Sequence, residues 1–506
     1  MDRIETDWIK KWADYTPDRL AFREYDRGLQ WTYREFNRRV NALALYLRNA
    51  YKIGKSDRIA IFSKNRAEYV FLFFASIKLG SILVPLNFRL TPREVVVLLK
   101  DARPHLLFYE QNLSGLLETP DLSTSPVKSA PIEELSQFLH ADTGPELFSS
   151  STDISELDPV MILYTSGTTG IPKGAIINHR MLFWNSVNTG LRLNLTSDDH
   201  AQSFAPFFHT GGWNVLLTPF THHGASHTIL SSFDSALILD LLEKERATLL
   251  FGLPTMMQVL ADTPGFDQAD LSSVRYAIVG GSPMPEPLIN TWHKKGIAIR
   301  QGYGLTEVGP NCFSLHQDDA TRKIGSIGFP NFYIEASIRN EAGQVSADDV
   351  VGELWLKGPV VTPGYWQNAK ATKETITDGW FHTGDLVRED KEGYFYVVDR
   401  KKNMFISGGE NVYPAEIEKI LYSHPQVKEA AVIGVPDQKW GEVGMAFLVT
   451  NNVAGLTEKE MYQYCLGQLA KYKIPKYFKF VDQLPKNEAG KIERKKLAVE
   501  GQLPIN

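Results

Sequence analysis

Cysteine is almost missing from this sequence. Cys312 and Cys465 are the only two among 506 residues and stand far apart, so neither a disulfide framework nor a cysteine-based metal site can be built. The expected compartment is a reducing cytoplasm. An excess of positive charge is missing too: 54 Lys and Arg face 59 Asp and Glu, a formal charge of −5. No basic field is left over for a nucleic-acid backbone or an anionic membrane surface, and no nucleic-acid partner is expected. Long apolar runs are scarce. The longest, 69–88, is interrupted by Lys78, Gly80 and Pro85. It is too broken for the roughly 20 apolar residues of a membrane-spanning helix, and reads as a buried helix followed by a strand. The first eight residues have no basic segment leading into an apolar core, which argues against a secretory signal.

What is present is material for more than one hydrophobic core: 43% of the chain is apolar and 11% aromatic, against a usual domain size of about 100–200 residues. Short β-branched runs recur at 58–62, 81–85, 105–109, 160–164 and 276–280, with helix-period segments at 68–79 and 92–99. This alternation predicts an α/β fold with buried, largely parallel strands. The Ser-, Thr- and Pro-rich stretch 111–157 reads as a surface connection. Beyond Gly325, short strands such as 352–356 and 394–398, separated by Gly, Asp and Pro, suggest a small β subdomain. After Asp399-Arg400-Lys401-Lys402 the pattern restarts with a helix at 414–421, strands at 430–435 and 445–450 and a helix at 457–469, a second α+β unit of about a hundred residues.

The strongest chemical signal is Tyr164-Thr165-Ser166-Gly167-Thr168-Thr169-Gly170-Ile171-Pro172-Lys173-Gly174, directly after the apolar strand at 160–163. Glycines let backbone N–H groups turn toward an anion, the Ser and Thr hydroxyls add donors, and Lys173 adds a point charge. It reads as a grip on polyphosphate. It is not a Walker loop, because Gly174 follows the Lys where Ser or Thr would stand. The segment resembles the phosphate loop of the adenylate-forming superfamily, which includes acyl-CoA synthetases, aryl-CoA ligases, luciferases and peptide-synthetase adenylation domains. Further motifs match that superfamily in order from about residue 31 to 495: Phe208-His209-Thr210-Gly211-Gly212-Trp213, Gly280-Gly281-Ser282, Gln301-Gly302-Tyr303-Gly304-Leu305-Thr306-Glu307, Trp380-Phe381-His382-Thr383-Gly384-Asp385, Ser407-Gly408-Gly409-Glu410, and Gly490-Lys491.

The resemblance implies a large N-terminal AMP-binding domain, 1–400, and a small mobile C-terminal domain, 401–506, hinged near Lys402. It implies ATP contacts from Thr165 to Gly170 and Lys173. Gly280, Gly281 and Ser282 would lie along the adenine, in a nucleotide site completed by Gly302, Tyr303 and Gly304. Thr306 is implied at the α-phosphate, Glu307 at Mg²⁺, and Asp385 and Arg400 at the ribose. His209 would sit near the acid's carboxylate, Lys491 would enter as the main catalytic cation, and Ser407, Gly408 and Gly409 would border the CoA tunnel. Asn403 stands where relatives more often carry Asp, which leaves no acidic partner there for a hinge salt bridge.

The implied reaction uses Mg·ATP to convert a carboxylic acid to an acyl-adenylate, from which a thiol displaces AMP. The chain reaches only to Asn506, without the carrier domain that usually follows in peptide synthetases, so free CoA is the expected thiol. Trp213, Val308 and Gly309 are the candidate acyl-pocket residues. The segments bordering that pocket, 204–213, 253–257 and 308–310, are apolar and contain no cation. A medium- or long-chain fatty acid is the first expectation and a benzoate- or cinnamate-type acid the second. Gly302, where malonate-activating relatives carry Arg, argues against a dicarboxylate. A homodimer is allowed but not required, and an adenylate-binding sensor without turnover is the reading from another class.

Overall fold

The computed structural model describes residues 4–116, 127–140, 144–148, 153–165, 172–346, 349–451, 456–466, 468–486 and 491–500. Its central six-stranded sheet runs Lys128–Pro131, Leu106–Tyr109, Arg58–Phe62, Ile82–Leu86, Pro159–Thr165, Lys173–Asn178; only the last pair is antiparallel. The broken apolar run is a helix, Ala67–Leu79, followed by the strand Ile82–Leu86, and every residue of both is buried. Gly80, with φ of 70°, ends the helix where a left-handed residue is needed. Two charges go inside with it. Glu68 is bracketed by Arg27 and Arg66, and Lys78 reaches Asp7 at 2.5 Å and the Asn37 amide oxygen at 2.9 Å.

The Ser- and Pro-rich stretch is more than a surface connection. Lys128–Pro131 forms the edge strand of the central sheet, while Ile132, Leu135 and Leu139 are buried in the main core. Only Ala130 of that strand is buried, so no period-2 signal exists for a sequence pattern to catch.

A second sheet carries three parallel strands, Leu249–Gly252, Tyr276–Val279 and Ile299–Tyr303, whose carboxyl ends lie at one edge. A third joins Leu20–Glu24 and Leu29–Thr32 to Ser226–Ile229 and His200–Ser203. The expected β subdomain is an antiparallel sheet of Glu335–Arg339, Gly352–Lys357, Trp380–Glu389, Ile376–Thr377 and Phe395–Arg400. Beyond it, a long hairpin, Val427–Asp437 with Gly441–Thr450, packs on the helices Pro414–Tyr422 and Glu458–Leu466 around Ile417, Leu421, Met461 and Cys465. Among the described residues, no helix is long and apolar enough to cross a membrane.

Candidate functional site

Parallel strands place functional loops beyond their carboxyl ends, and three of the sequence-predicted motifs are positioned by strands in this way. Gly280-Gly281-Ser282 follows Tyr276–Val279, Tyr303 ends its strand, and Thr306 and Glu307 open the short 3₁₀ turn Thr306–Val308 just beyond. Thr165 ends Pro159–Thr165 and pairs in register with Lys173. Ser166, Gly167, Thr168, Thr169 and Gly170, between them, lie outside the described residues. Gly304 is required: a Cβ there would stand 1.4 Å from the Pro310 carbonyl oxygen.

Asp385 is almost wholly buried, and its two oxygens are divided between two partners. Oδ1 pairs with Arg400 Nε at 2.6 Å, its register partner on the neighbouring strand, and Oδ2 accepts the Tyr303 hydroxyl at 2.6 Å. Burial raises the Asp385 carboxyl, and Arg400 and Tyr303 work against it. Tyr303 is thereby tied to the predicted ribose contacts although the two lie on different sheets.

Glu307 is buried at 7% exposure. Its Oε1 accepts two hydroxyls, from Thr165 at 3.3 Å and Tyr365 at 3.0 Å. Its Oε2 accepts no hydrogen bond among the described residues. A buried carboxylate with one oxygen left over fits a hard divalent cation that takes its other ligands from water and phosphate. Among the described residues, no group of three His, Cys, Asp or Glu is arranged to hold an ion alone, as suits a metal that arrives with a nucleotide. Burial and Glu307 together push the Tyr365 hydroxyl above the ordinary phenol range, so it donates.

Lys491 is brought to this cluster from the small domain. A Cβ built on Gly281 would lie 3.8 Å from its Cε. Part of its side chain stays open to solvent. Its ammonium is pushed below the ordinary lysine value, first by burial and then by Arg400, with Asp385 and Glu307 opposing. His209 stands on the other side. Burial first, then Lys491 and Arg89, lowers its imidazole to about 4, so it is neutral at pH 7. Its Nε2 is buried, with no partner among the described residues.

Around His209 the wall is aromatic. The Phe208 ring lies 4.5 Å from His209 and 5.5 Å from Phe88, and a Cβ on Gly211 would touch Phe251 at 3.5 Å. The Arg89 guanidinium lies over Phe88 and Phe208, 5.2 and 6.0 Å from their centroids, so a cation does stand at the edge of this apolar wall. Phe88, Arg89, Phe251 and Tyr365 belong to none of the motifs, and no sequence signal pointed to them. Two predicted acyl-pocket residues are wholly covered. Trp213 has no exposed surface and packs among Tyr69, Phe73 and Phe207, with its indole N–H donating to the Phe207 carbonyl. Val308 is equally buried, among Cys312, Phe313 and Val360. Neither side chain presents a surface to an acid here. Gly309 is buried behind the site, where a Cβ would press to 3.0 Å from the Asn185 amide oxygen.

Lys402 lies in the turn between Phe395–Arg400 and Phe405–Ser407 with much of its side chain exposed, and partial desolvation of its ammonium, then the nearby Arg400, lower its pKa. Asn403, at the position without an acid, donates to Asp399 Oδ1 at 3.0 Å, while Asp399 Oδ2 accepts the Ala415 N–H at 2.9 Å from the small domain's first helix. Ser407, Gly408 and Gly409 form a tight hairpin whose contacts run to Trp440 and Gly441 of the small domain. The site thus gathers Lys491 but not this loop.

A family model described as "AMP-binding enzyme" matches residues 9–366, and one described as "AMP-binding enzyme C-terminal domain" matches 416–491. A feruloyl-CoA synthase from Amycolatopsis is 39% identical over 96% of this chain and 96% of its own. A long-chain-fatty-acid–CoA ligase from Mycobacterium tuberculosis is 34% identical over 96% of each. The o-succinylbenzoate CoA synthetase of Bacillus subtilis has been solved with its acyl-adenylate intermediate, at TM-score 0.85, 32% identity and coverage of 97% and 98%. With ATP and magnesium ion it gives TM-score 0.85, 31% identity and coverage of 97% and 99%. The chain therefore belongs to the AMP-binding enzyme family, as an AMP-forming acid–CoA ligase that uses ATP with Mg²⁺ and takes CoA as co-substrate.

Proposed function

We propose that the acid is aromatic, of the benzoate or cinnamate type. The observation that carries this reading is the ring-lined wall of Phe88, Phe208 and Phe251 beside His209. The 39% identity to a feruloyl-CoA synthase supports it. The complete burial of Trp213 removes the feature that favoured a fatty acyl tunnel.

In this reading Asp385 and Arg400 hold the ribose, Tyr303 stacks on the adenine that lies along Gly280, Gly281 and Ser282, and Thr165 and Lys173 hold the polyphosphate with the loop between them. Glu307 would hold Mg²⁺ through Oε2; when bound, the ion neutralises phosphate charge and orients the leaving pyrophosphate. Neutral His209 presents Nε2 to the carboxylate end of the acid without forming a salt bridge that would hold it back. Lys491 and Thr306 then stabilise charge building at the α-phosphate as the carboxylate oxygen attacks. Positioning and charge suffice, because the protein needs to supply no nucleophile. In the second half-reaction the CoA sulfur attacks the acyl carbon and AMP leaves.

Lys491 and the Ser407–Gly409 hairpin serve different half-reactions from one small domain, so we place a hinge at Lys402 between domains 1–400 and 401–506. Two buried, unpaired cysteines suit action in the cytoplasm. The test is pyrophosphate release with a panel of acids. Hydroxycinnamates or benzoates are expected to exceed C8–C16 fatty acids at least ten-fold in kcat/KM; the reverse order overturns the aromatic assignment.

A further inference from the structure

Tyr365 lies outside every motif above, in a segment stitched to the site at several points. The Ile176 N–H donates to the Gly364 carbonyl at 3.1 Å, the Trp366 N–H to the Gly174 carbonyl at 2.7 Å, and the Thr362 N–H to the Glu307 carbonyl at 2.8 Å. Residues 362–366 thus bridge the strand that leaves the phosphate loop and the backbone of Glu307 itself. From that anchorage the Tyr365 side chain, only 8% exposed, makes two contacts with the machinery. Its hydroxyl donates to Glu307 Oε1 at 3.0 Å, and the Lys173 ammonium lies 5.3 Å from its ring centroid.

We infer that Tyr365 is a positioning residue for the metal: by holding Oε1 of Glu307 together with Thr165, it fixes the carboxylate rotation and leaves Oε2 as the single oxygen offered to the divalent cation. The inference rests on the reading of Glu307 as the metal's protein ligand. Mg²⁺ demands near-ideal octahedral geometry. A freely rotating carboxylate would offer either oxygen or both; one already bonded to two hydroxyls offers one, in one direction. Partners that orient a metal ligand in this way typically account for about 10–100-fold in metal affinity. The same ring flanks Lys173, so one buried side chain sets both the metal's ligand and a cation of the polyphosphate grip.

The experiment uses Mn²⁺ as the probe, titrated by electron paramagnetic resonance into the full chain saturated with an ATP analogue whose α–β bridge is methylene. Tyr365→Phe removes one oxygen and keeps the ring over Lys173; Tyr365→Met, which fills much of the volume without a donor, is measured beside it, with thermal unfolding to confirm that each is folded. The expected result is a Mn²⁺ dissociation constant raised about ten-fold in both variants. For Tyr365→Phe, pyrophosphate release in the first half-reaction is expected to fall more than AMP release from preformed acyl-adenylate and CoA. Parent-like Mn²⁺ affinity in a folded Tyr365 variant, with Glu307→Gln clearly weakened, overturns the role given to Tyr365. Parent-like affinity in Glu307→Gln overturns the reading of Glu307 instead. An equal fall in both half-reactions with unchanged Mn²⁺ binding reduces Tyr365 to a structural residue.

Discussion

Trp213 and Lys491 mark two limits of inference from a side chain's type. The sequence places Trp213 four positions after His209, beside the acid, and the fold turns it inward against Tyr69, Phe73 and Phe207. Its N–H finds a partner in the Phe207 carbonyl six residues earlier, so the ring can be buried whole without an unsatisfied donor. Trp213→Ala is expected to cost about 3–5 kcal/mol of stability and to leave the preference between aromatic and fatty acids where it was. Urea unfolding and the acid panel check both; altered preference at unaltered stability would return Trp213 to the pocket wall. Lys491 lies against Gly281, within the electrostatic reach of Arg400, Asp385 and Glu307. In the role proposed for it, that of a cation, adenylation should fall as pH rises through its pKa. That pKa lies below the ordinary lysine value of 10.5, so the alkaline limb of kcat/KM for ATP should appear below that pH. In Lys491→Arg the limb should move beyond the measurable range; a limb that stays in place assigns it to another group.

At the scale of elements, legibility followed pattern strength. The strand Arg58–Phe62 and the helix Ala67–Leu79 match the sequence reading to within a residue, because a fully apolar run bounded by polar residues has few other ways to fold. The edge strand Lys128–Pro131 and the hairpin Phe405–Ser407 with Glu410–Val412 were not legible as strands: each is short and buries few apolar residues. The motifs located most of the site, yet Phe88, Phe251 and Tyr365 join it through sheet geometry that a linear pattern cannot express. The hairpin does explain its glycines. Ser407 pairs with Glu410, so Gly408 and Gly409 are the two-residue loop, at φ of 61° and 88°, values such a turn demands of both positions. A Cβ on Gly408 would come within 2.8 Å of the Trp440 ring. Gly408→Ala is expected to slow CoA-dependent AMP release at least ten-fold while pyrophosphate release stays within two-fold; stopped-flow measurement of each half-reaction decides, and equal slowing of both would refute it.

At the scale of the whole molecule, the proposed hinge at Lys402 joins the two groups of site residues. Lys491 sits against Gly281 while the Ser407–Gly409 hairpin rests on Trp440, so this arrangement suits the first half-reaction and the second calls for another. Lys402→Pro, which fixes φ in the turn, is expected to leave pyrophosphate release largely intact and to suppress thioester formation by one to two powers of ten. Unaffected thioester turnover would remove the rotation from the scheme.

The fastening of that hinge has a physiological corollary. Asn403 meets Asp399 as an amide meeting a carboxylate, where the Asp that relatives more often carry would set two like charges together, a repulsion that dissolved ions change. A clasp between a dipole and a charge feels such screening far less. Osmotic stress, which swings the potassium content of a cell, would leave the tightness of this clasp almost untouched.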